Sequence, residues 1–445
     1  MEHNKAAIHP ESGYFPDVLV VGGGPAGSTI STLLAERGYD VVLLEKSHHP
    51  RFHIGESLLP MNIPLFERLG VQDQIASIGM LKYGAEFVSP DHEETSLFEF
   101  ADALDKSFPY SYEVRRSELD EILFRNAAKK GARIHEGCEV RRIEFPAGDR
   151  ALVVTQMEDG TTSEWQPKFV VDASGRETLL ANQFAIKQRN KKHASASVFG
   201  HFAGAERRSG KEEGNISLFW FEHGWFWYIP LRDGSVSVGV VCWPYYMKSR
   251  KTSVEQFFFD TIALCPPLAA RLKDAKLTSQ VTATGNFSYT SARCSGAKHI
   301  MIGDAYAFID PVFSSGVFLA MNSAFAGADA VDSCLKHPAR AAAILKKFDK
   351  DSSYGLKIFS WIIYRMTTPA MRNMFMKPSN KFRLQETLLS VLAGDLYRGT
   401  PIRFRLQIFK IVYYIMSIKM MGKTYEAWRR RKHSIKNVAF EANVT

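Results

Sequence analysis

The clearest chemical signature in the chain is three glycines and a carboxylate at fixed spacing. Gly22, Gly24 and Gly27 form GxGxxG, and Glu45 stands at the end of the next apolar run. The first glycine permits a tight turn, the second lets the backbone approach a pyrophosphate, and the third lets a helix lie close to the preceding strand. Pro25 and Ala26 open that helix, whose amides and positive dipole end suit phosphates, while Glu45 suits a ribose hydroxyl. GxGxxG alone is weak evidence, but a strand, turn, helix, second strand and acid in this order indicate a bound dinucleotide. The plain alternative is an ordinary glycine-rich turn. A second anion site is suggested where Ser315 and Gly316 precede an apolar helix, because their backbone N–H groups lie at its positive end. Lys82 stands two residues before Gly84, beside an expected strand. A desolvated lysine presents a neutral amine, although a lysine taken alone is more often solvated. His48, His49 and His53 have no second cluster at ligand spacing and read as loop histidines. No Ser-His-Asp order or Walker motif competes.

These residues need elements to position them. Residues 18–21 are a branched apolar run expected as a buried parallel strand, 25–37 as a helix ended by Gly38, and 41–44 as a second parallel strand. A polar strap then leads to GESLLP at 55–60 and a helix carrying Ile63, Leu65, Phe66 and Leu69. Arg116 starts an amphipathic helix with Leu119, Ile122, Leu123 and Ala127 inward. Residues 134–145 and 151–156 read as a β-meander, and 168–175 as another buried strand. Four β-rich runs follow at 195–202, 216–221, 225–231 and 235–243; Trp225, Trp227 and Ile229 alternate and should share one face. An apolar strand returns at 299–303, and from residue 338 the pattern is helical and basic. The expected organisation is a lead-in over 1–16, a discontinuous nucleotide-binding domain over 17–190 and 286–335, an inserted β-sheet substrate domain over 191–285 and a helical region over 336–445.

Composition fits this α/β scheme: 445 residues, 45% hydrophobic, 23% charged and 12% aromatic. The net charge of +9 favours acidic partners, yet no nucleic-acid motif is present. Five scattered cysteines without CxxC suggest reduced thiols and a cytoplasmic protein, and no signal peptide is expected at the start. In residues 404–421, Lys410 and Lys419 interrupt the only candidate membrane stretch, so no transmembrane span is expected; a core helix hairpin is favoured over peripheral membrane contact.

GGGPAG at 22–27, GESLLP at 55–60, WFWYIP at 225–230 and GDAYAFIDPVFSSG at 303–316 together resemble the flavin-dependent halogenases, within the flavoprotein monooxygenase superfamily. The resemblance runs from Asp17 to about residues 392–395. GxGxxG marks only the superfamily; WxWxIP, the Lys-x-Gly-Ala element at Lys82 and PxFSSG are more selective. It implies a Rossmann-like FAD-binding fold in which Gly22, Gly24, Pro25, Ala26, Gly27, Glu45, Lys46, Ser57, Arg116, Asp304 and Gly316 hold FAD, with Asp304 at the ribityl chain. Reduced FAD from a separate NAD(P)H-dependent flavin reductase, oxygen and chloride or bromide then yield hypohalous acid. This passes to Lys82, which halogenates an electron-rich aromatic substrate. Ser315 and Gly316 would hold halide, and Trp225, Trp227 and Phe313 would line and shield the passage.

Halogenases of free tryptophan carry a glutamate two residues before the Ser/Thr-Gly pair, where this chain has Phe313. The resemblance is therefore to phenol- and pyrrole-type relatives, some of which act on acyl groups tethered to an acidic carrier protein. Arg429, Arg430, Arg431 and Lys432 could meet such a carrier. Two other readings share the same core: an FAD-dependent monooxygenase or geranylgeranyl-reductase-like oxidoreductase, and a non-catalytic FAD-binding partner in a biosynthetic complex.

Overall fold

The computed structural model describes residues 14–190, 195–285 and 288–442, with side chains at 431 and 434–442 outside the description. The expected lead-in therefore falls outside the described residues up to position 13, and so do the residues at the two expected domain junctions, 191–194 and 286–287.

Branched apolar side chains bury the strand Val18–Val21 on both faces, as a parallel strand at the centre of a sheet requires. It pairs in parallel with Val41–Leu44 on one side and Phe169–Asp172 on the other. His299–Met301 and Arg133–His135 extend the sheet outward, and the short strand Ser295–Gly296 closes one edge antiparallel. Helix Pro25–Glu36 packs against both Arg116–Lys129 and the long helix Ser315–Lys336. The expected meander forms from Cys138–Glu144, Leu152–Met157 and Thr162–Trp165, and its Val140, Ile143, Val153 and Trp165 join the same apolar core.

The second sheet runs Lys276–Leu277, Ala196–Ala203, Val236–Cys242, Gly224–Pro230, Ile216–Phe221, Gly84–Val88, Ser96–Glu99, with Thr282–Gly285 also paired to Ala196–Ala203. It is not confined to 191–285, because two of its strands come from the stretch expected in the nucleotide-binding unit. Gly84–Val88 runs parallel to Ile216–Phe221. A buried cluster fixes that junction: Glu86 is 1% exposed and accepts hydrogen bonds from Arg271 at 2.9 Å, Arg208 at 2.5 Å and Ser217 at 2.5 Å. Removing either arginine would leave part of a buried charge uncompensated. One face of this sheet carries Trp220, Trp225, Trp227 and Ile229 against the C-terminal helices; the other carries Phe219, Phe226, Tyr228 and Val240 against helix Val254–Ala263.

Ala341–Ile363, Pro369–Met376, Leu384–Leu392, Ile402–Lys419 and Met421–Ala442 make the helical region. The stretch expected as a core hairpin is instead half surface: Leu406, Phe409 and Tyr413 are buried, whereas Phe404, Ile411 and Ile418 face outward. Among the described residues, no helix is long and apolar enough to cross a membrane. The cysteines Cys138, Cys242, Cys265, Cys294 and Cys334 are all buried and unbridged.

Candidate functional site

The three signature glycines have three distinct geometries. Gly22 has φ 98°, and a Cβ there would lie 2.4 Å from the Ala173 carbonyl oxygen. At Gly27 a Cβ would lie 1.9 Å from the Gly22 carbonyl oxygen, so only glycine lets helix and strand approach this closely. Gly24 instead opens on space, its nearest such neighbour being Arg51 Nη2 at 3.8 Å. A test follows from the contrast. Gly27→Val should lower the melting temperature of the flavin-free protein sharply, whereas Gly24→Val should leave it nearly unchanged and weaken FAD binding by about tenfold or more, read by flavin fluorescence titration. Equal melting losses for both would remove the distinction between packing and ligand approach.

The glycine turn opens on a cavity of about 490 Å³ between the parallel sheet, the strap and the second sheet. Its wall includes most of the expected cofactor residues: Gly22, Gly24, Pro25, Ala26, Glu45, Lys46, Ser57, Arg116, Asp304 and Gly316. Gly27 lies behind it, in the packing role just described. Glu45 accepts from the backbone amides of Gly23 at 2.7 Å and Ser47 at 2.9 Å, and from Arg51 Nη2 at 3.3 Å, which fixes the carboxylate on the wall. Lys46 reaches across the mouth to Glu177. Arg116 makes a two-pronged contact with Asp120, at 2.9 and 3.0 Å, and donates to the Ile54 carbonyl at 3.0 Å, tying helix to strap. Burial pushes the Asp304 carboxyl up to about 6, with Arg116 and Arg176 acting in the opposite sense. Trp225, Trp227 and Ile229 share the face that closes the cavity, and Trp227 donates to Ser237 Oγ at 3.2 Å.

Sequence reasoning missed several wall residues. Arg51 joins Glu45 to Asp120, and Glu56 pairs with His201 at 2.8 Å. Both lie in the polar strap, where charged groups give no periodic signal. Glu56 Oε2 and Arg51 Nε are buried without a hydrogen-bond partner among the described residues, as expected of groups that wait for a polar ligand. With the open Gly24 and the helix start at Gly316, this donor and acceptor set fits FAD.

Lys82 is not on the cavity wall. It is 1% exposed and lies directly behind Ser57. Its Nζ donates to Ser57 Oγ at 2.7 Å and to the Leu58 carbonyl at 2.9 Å, and lies 3.6 Å from Glu113 Oε1. Ser57 in turn donates to Glu113 Oε1 at 3.2 Å and accepts from Ser314 Oγ at 2.8 Å. Burial drives both ionisable partners toward neutrality: the Lys82 amine is lowered, and the Glu113 carboxyl is pushed up to about 8 against the pull of Lys82. Glu113, a lone carboxylate in a short strand, carried no sequence signal of this role. Ser314 adopts a left-handed backbone at φ 56° and hands the chain to the helix beginning at Ser315; Gly316 faces the cavity, while the Ser315 side chain is buried outside it. Phe313 is not on the wall of this cavity: it is buried and stacks on Phe375, with centroids 6.0 Å apart and planes at 10°. Its apolar side chain gains more from that core than from a polar wall. Of the three histidines, His49 stacks on Phe124 and meets Glu136, and His48 meets Glu158; among the described residues no three or more His, Cys, Asp or Glu are grouped so as to hold a metal ion.

Parallel sheet, glycine turn and cavity define an FAD-binding flavoprotein, and a family model described as FAD binding domain matches residues 16–351. The chain is 37% identical over 325 residues to a tryptophan 2-halogenase of Chondromyces crocatus, covering 72% of this chain and 61% of that protein. It is 32% identical to a flavin-dependent halogenase of Penicillium aethiopicum, covering 78% and 70%. It is 27% identical to a 1H-pyrrole-2-carbonyl peptidyl-carrier-protein chlorinase of Pseudomonas fluorescens, covering 86% and 90%. Among solved structures, a flavoprotein/dehydrogenase from Cytophaga hutchinsonii superposes with a TM-score of 0.83 at 26% identity, covering 92% of this chain and 100% of the other. The myxobacterial chondrochloren halogenase does so at 0.74 and 28%, covering 92% and 97%. The chain belongs to the flavin-dependent halogenase family, and its cofactor is FAD.

Proposed function

We propose that the chain uses reduced FAD, oxygen and chloride or bromide to halogenate an electron-rich aromatic ring, with Lys82 delivering the halogen. The observation that carries this reading is the hydrogen-bonded path from Ser314, at the cavity-facing helix start, through Ser57 to the buried amine of Lys82. Bound and reduced, FAD supplies the oxygen activation that oxidises halide to hypohalous acid. The chain's own groups do the rest. Backbone N–H groups at Ser315 and Gly316 sit where a halide can be held, and Trp225 and Trp227 keep the substrate away from the flavin. A protonated Glu113 leaves the Lys82 amine neutral and nucleophilic. Hypohalous acid and the amine then give a haloamine and water; the ring takes the halogen and its displaced proton returns to nitrogen. The Phe100 ring covers Lys82 Nζ at 5.6 Å from its centroid, so substrate reaches the amine when that cover moves.

The core stack of Phe313 leaves no carboxylate at the position that could accept a ring proton, which favours rings activated by their own substituents. Phenols and pyrroles meet that condition. The pyrrole named for one relative and the tryptophan named for another are both electron-rich, so the reading extends to indole carbons of similar reactivity. The substrate is either free or tethered to a carrier protein, for which the basic Arg429 and Arg430 are suited, and a separate flavin reductase supplies the reduced cofactor.

A trap assay tests the flavin half: purified chain, FAD, a flavin reductase with NADH, oxygen, halide and monochlorodimedone. Halide-dependent loss of trap absorbance above the reductase background is expected. Oxygen consumption with no trapped halogen at saturating halide would overturn the proposal and favour the monooxygenase or reductase reading, which the superposition on a flavoprotein/dehydrogenase keeps in view.

A further inference from the structure

Helix Ile402–Lys419 has two apolar faces, and the inward packing of the protein accounts for one. Ile402, Leu406, Phe409 and Tyr413 bury the inner face. On the opposite side Phe404, Ile411, Ile415 and Ile418 are 75%, 58%, 48% and 68% exposed. At 100° per residue these four fall within a narrow stripe along the helix. The exposed row continues on the next helix through Met421, Tyr425 and Trp428, spaced as one face, with the last two rings stacked 5.8 Å apart.

Charge flanks this stripe on both sides. Arg403 and Lys410 lie on one flank of the first helix, over Tyr354 and Trp361, Arg405 and Lys419 lie on the other, and residues 396–425 contain no Asp or Glu. A second copy of the chain is a poor occupant, because pairing two such stripes would bring the cationic flanks together. An extended surface of Ile and Phe edged by Arg and Lys, with Tyr and Trp at one end, matches the interface of an anionic bilayer. We propose that this helix docks the protein flat on an anionic lipid surface, with the stripe in the headgroup boundary and the basic flanks on the phosphates. It lies on the bilayer and does not cross it, consistent with the hydropathy of its helices.

The test is co-sedimentation of the FAD-loaded chain with vesicles of equal parts phosphatidylcholine and phosphatidylglycerol, against phosphatidylcholine alone. Sedimentation is expected with the anionic vesicles at about 0.1 M salt and should fall strongly at about 1 M, where charge is screened within a few ångströms. Arg405→Glu/Lys419→Glu should weaken it by about tenfold or more, at about 1 kcal/mol per basic residue near the surface. Phe404→Ser/Ile418→Ser should also release the protein while leaving its melting temperature and FAD content unchanged, since both side chains are outside the core. A chain that stays in the supernatant with both vesicle types would overturn the proposal. So would a wild-type dimer in light scattering that Phe404→Ser/Ile418→Ser converts to monomer, which would assign the stripe to a second copy.

Discussion

Lys82→Met is expected to lower aromatic halogenation by about 10²-fold or more while FAD binding and halide-dependent oxidation of monochlorodimedone continue. The proposed mechanism separates the two activities, because it asks only the cavity for oxidation and the amine behind Ser57 for transfer. Methionine keeps the length and unbranched shape of lysine and removes a group whose burial already disfavours its charge. The Leu58 carbonyl loses a donor, a cost of about 1–3 kcal/mol that a chain of this size should survive. Lys82→Arg provides the sharper control. Its guanidinium stays charged and offers no neutral nitrogen, so it too should fail to transfer halogen if a haloamine forms. Near wild-type product with Arg would instead assign Lys82 the role of hydrogen-bonding hypohalous acid, and near wild-type product with Met would remove it from the reaction.

Local rules made the nucleotide unit legible. A four-residue apolar strand, three glycines and a helix start depend on neighbours within a few residues, and Gly22, Gly24 and Gly27 each took the expected geometry. The alternation that puts Trp225 and Trp227 on one face is equally local. Features set by distant partners were not legible. Nothing within Gly84–Val88 shows that it will add to a sheet built from residues more than a hundred positions later, and Glu86 becomes a buried pin only when Arg208 and Arg271 arrive. Arg51 and Glu113 carried no sequence signal because partners that fix them, Asp120 and Lys82, lie on other elements. The helix Ile402–Lys419 misled for another reason: apolar residues on both faces read as full burial, while only one face meets the core. The stack of Phe313 on Phe375 was equally hidden, since its partner lies some sixty positions away on another helix.

Glu113→Gln should remove a loss of stability that accumulates between about pH 4.5 and 8 while preserving halogen transfer at neutral pH. Glu113 rises from 4.5 to about 8 on folding because burial disfavours its carboxylate more than Lys82 and Ser57 favour it. The fold thus binds its proton more tightly than the unfolded chain does; the stabilisation is complete below about 4.5 and is lost as pH rises through about 8. Lys82 works in the opposite direction: its amine is lowered from 10.5, so its contribution is present above that value and is lost as pH falls through the depressed folded value. Glutamine reproduces the neutral carboxyl and cannot ionise. The difference in melting temperature, variant minus wild type, should therefore grow as pH rises from about 4.5 to about 8 and level off above that, while the acid limb of transfer activity should stay in place because Glu113 is already protonated there. An ionised Glu113 at neutral pH predicts the reverse: glutamine would leave the Lys82 charge buried without its counter-ion, and the variant would melt lower than wild type throughout the neutral range. Melting curves across that range decide between a neutral amine ready for halogen and a structural ion pair.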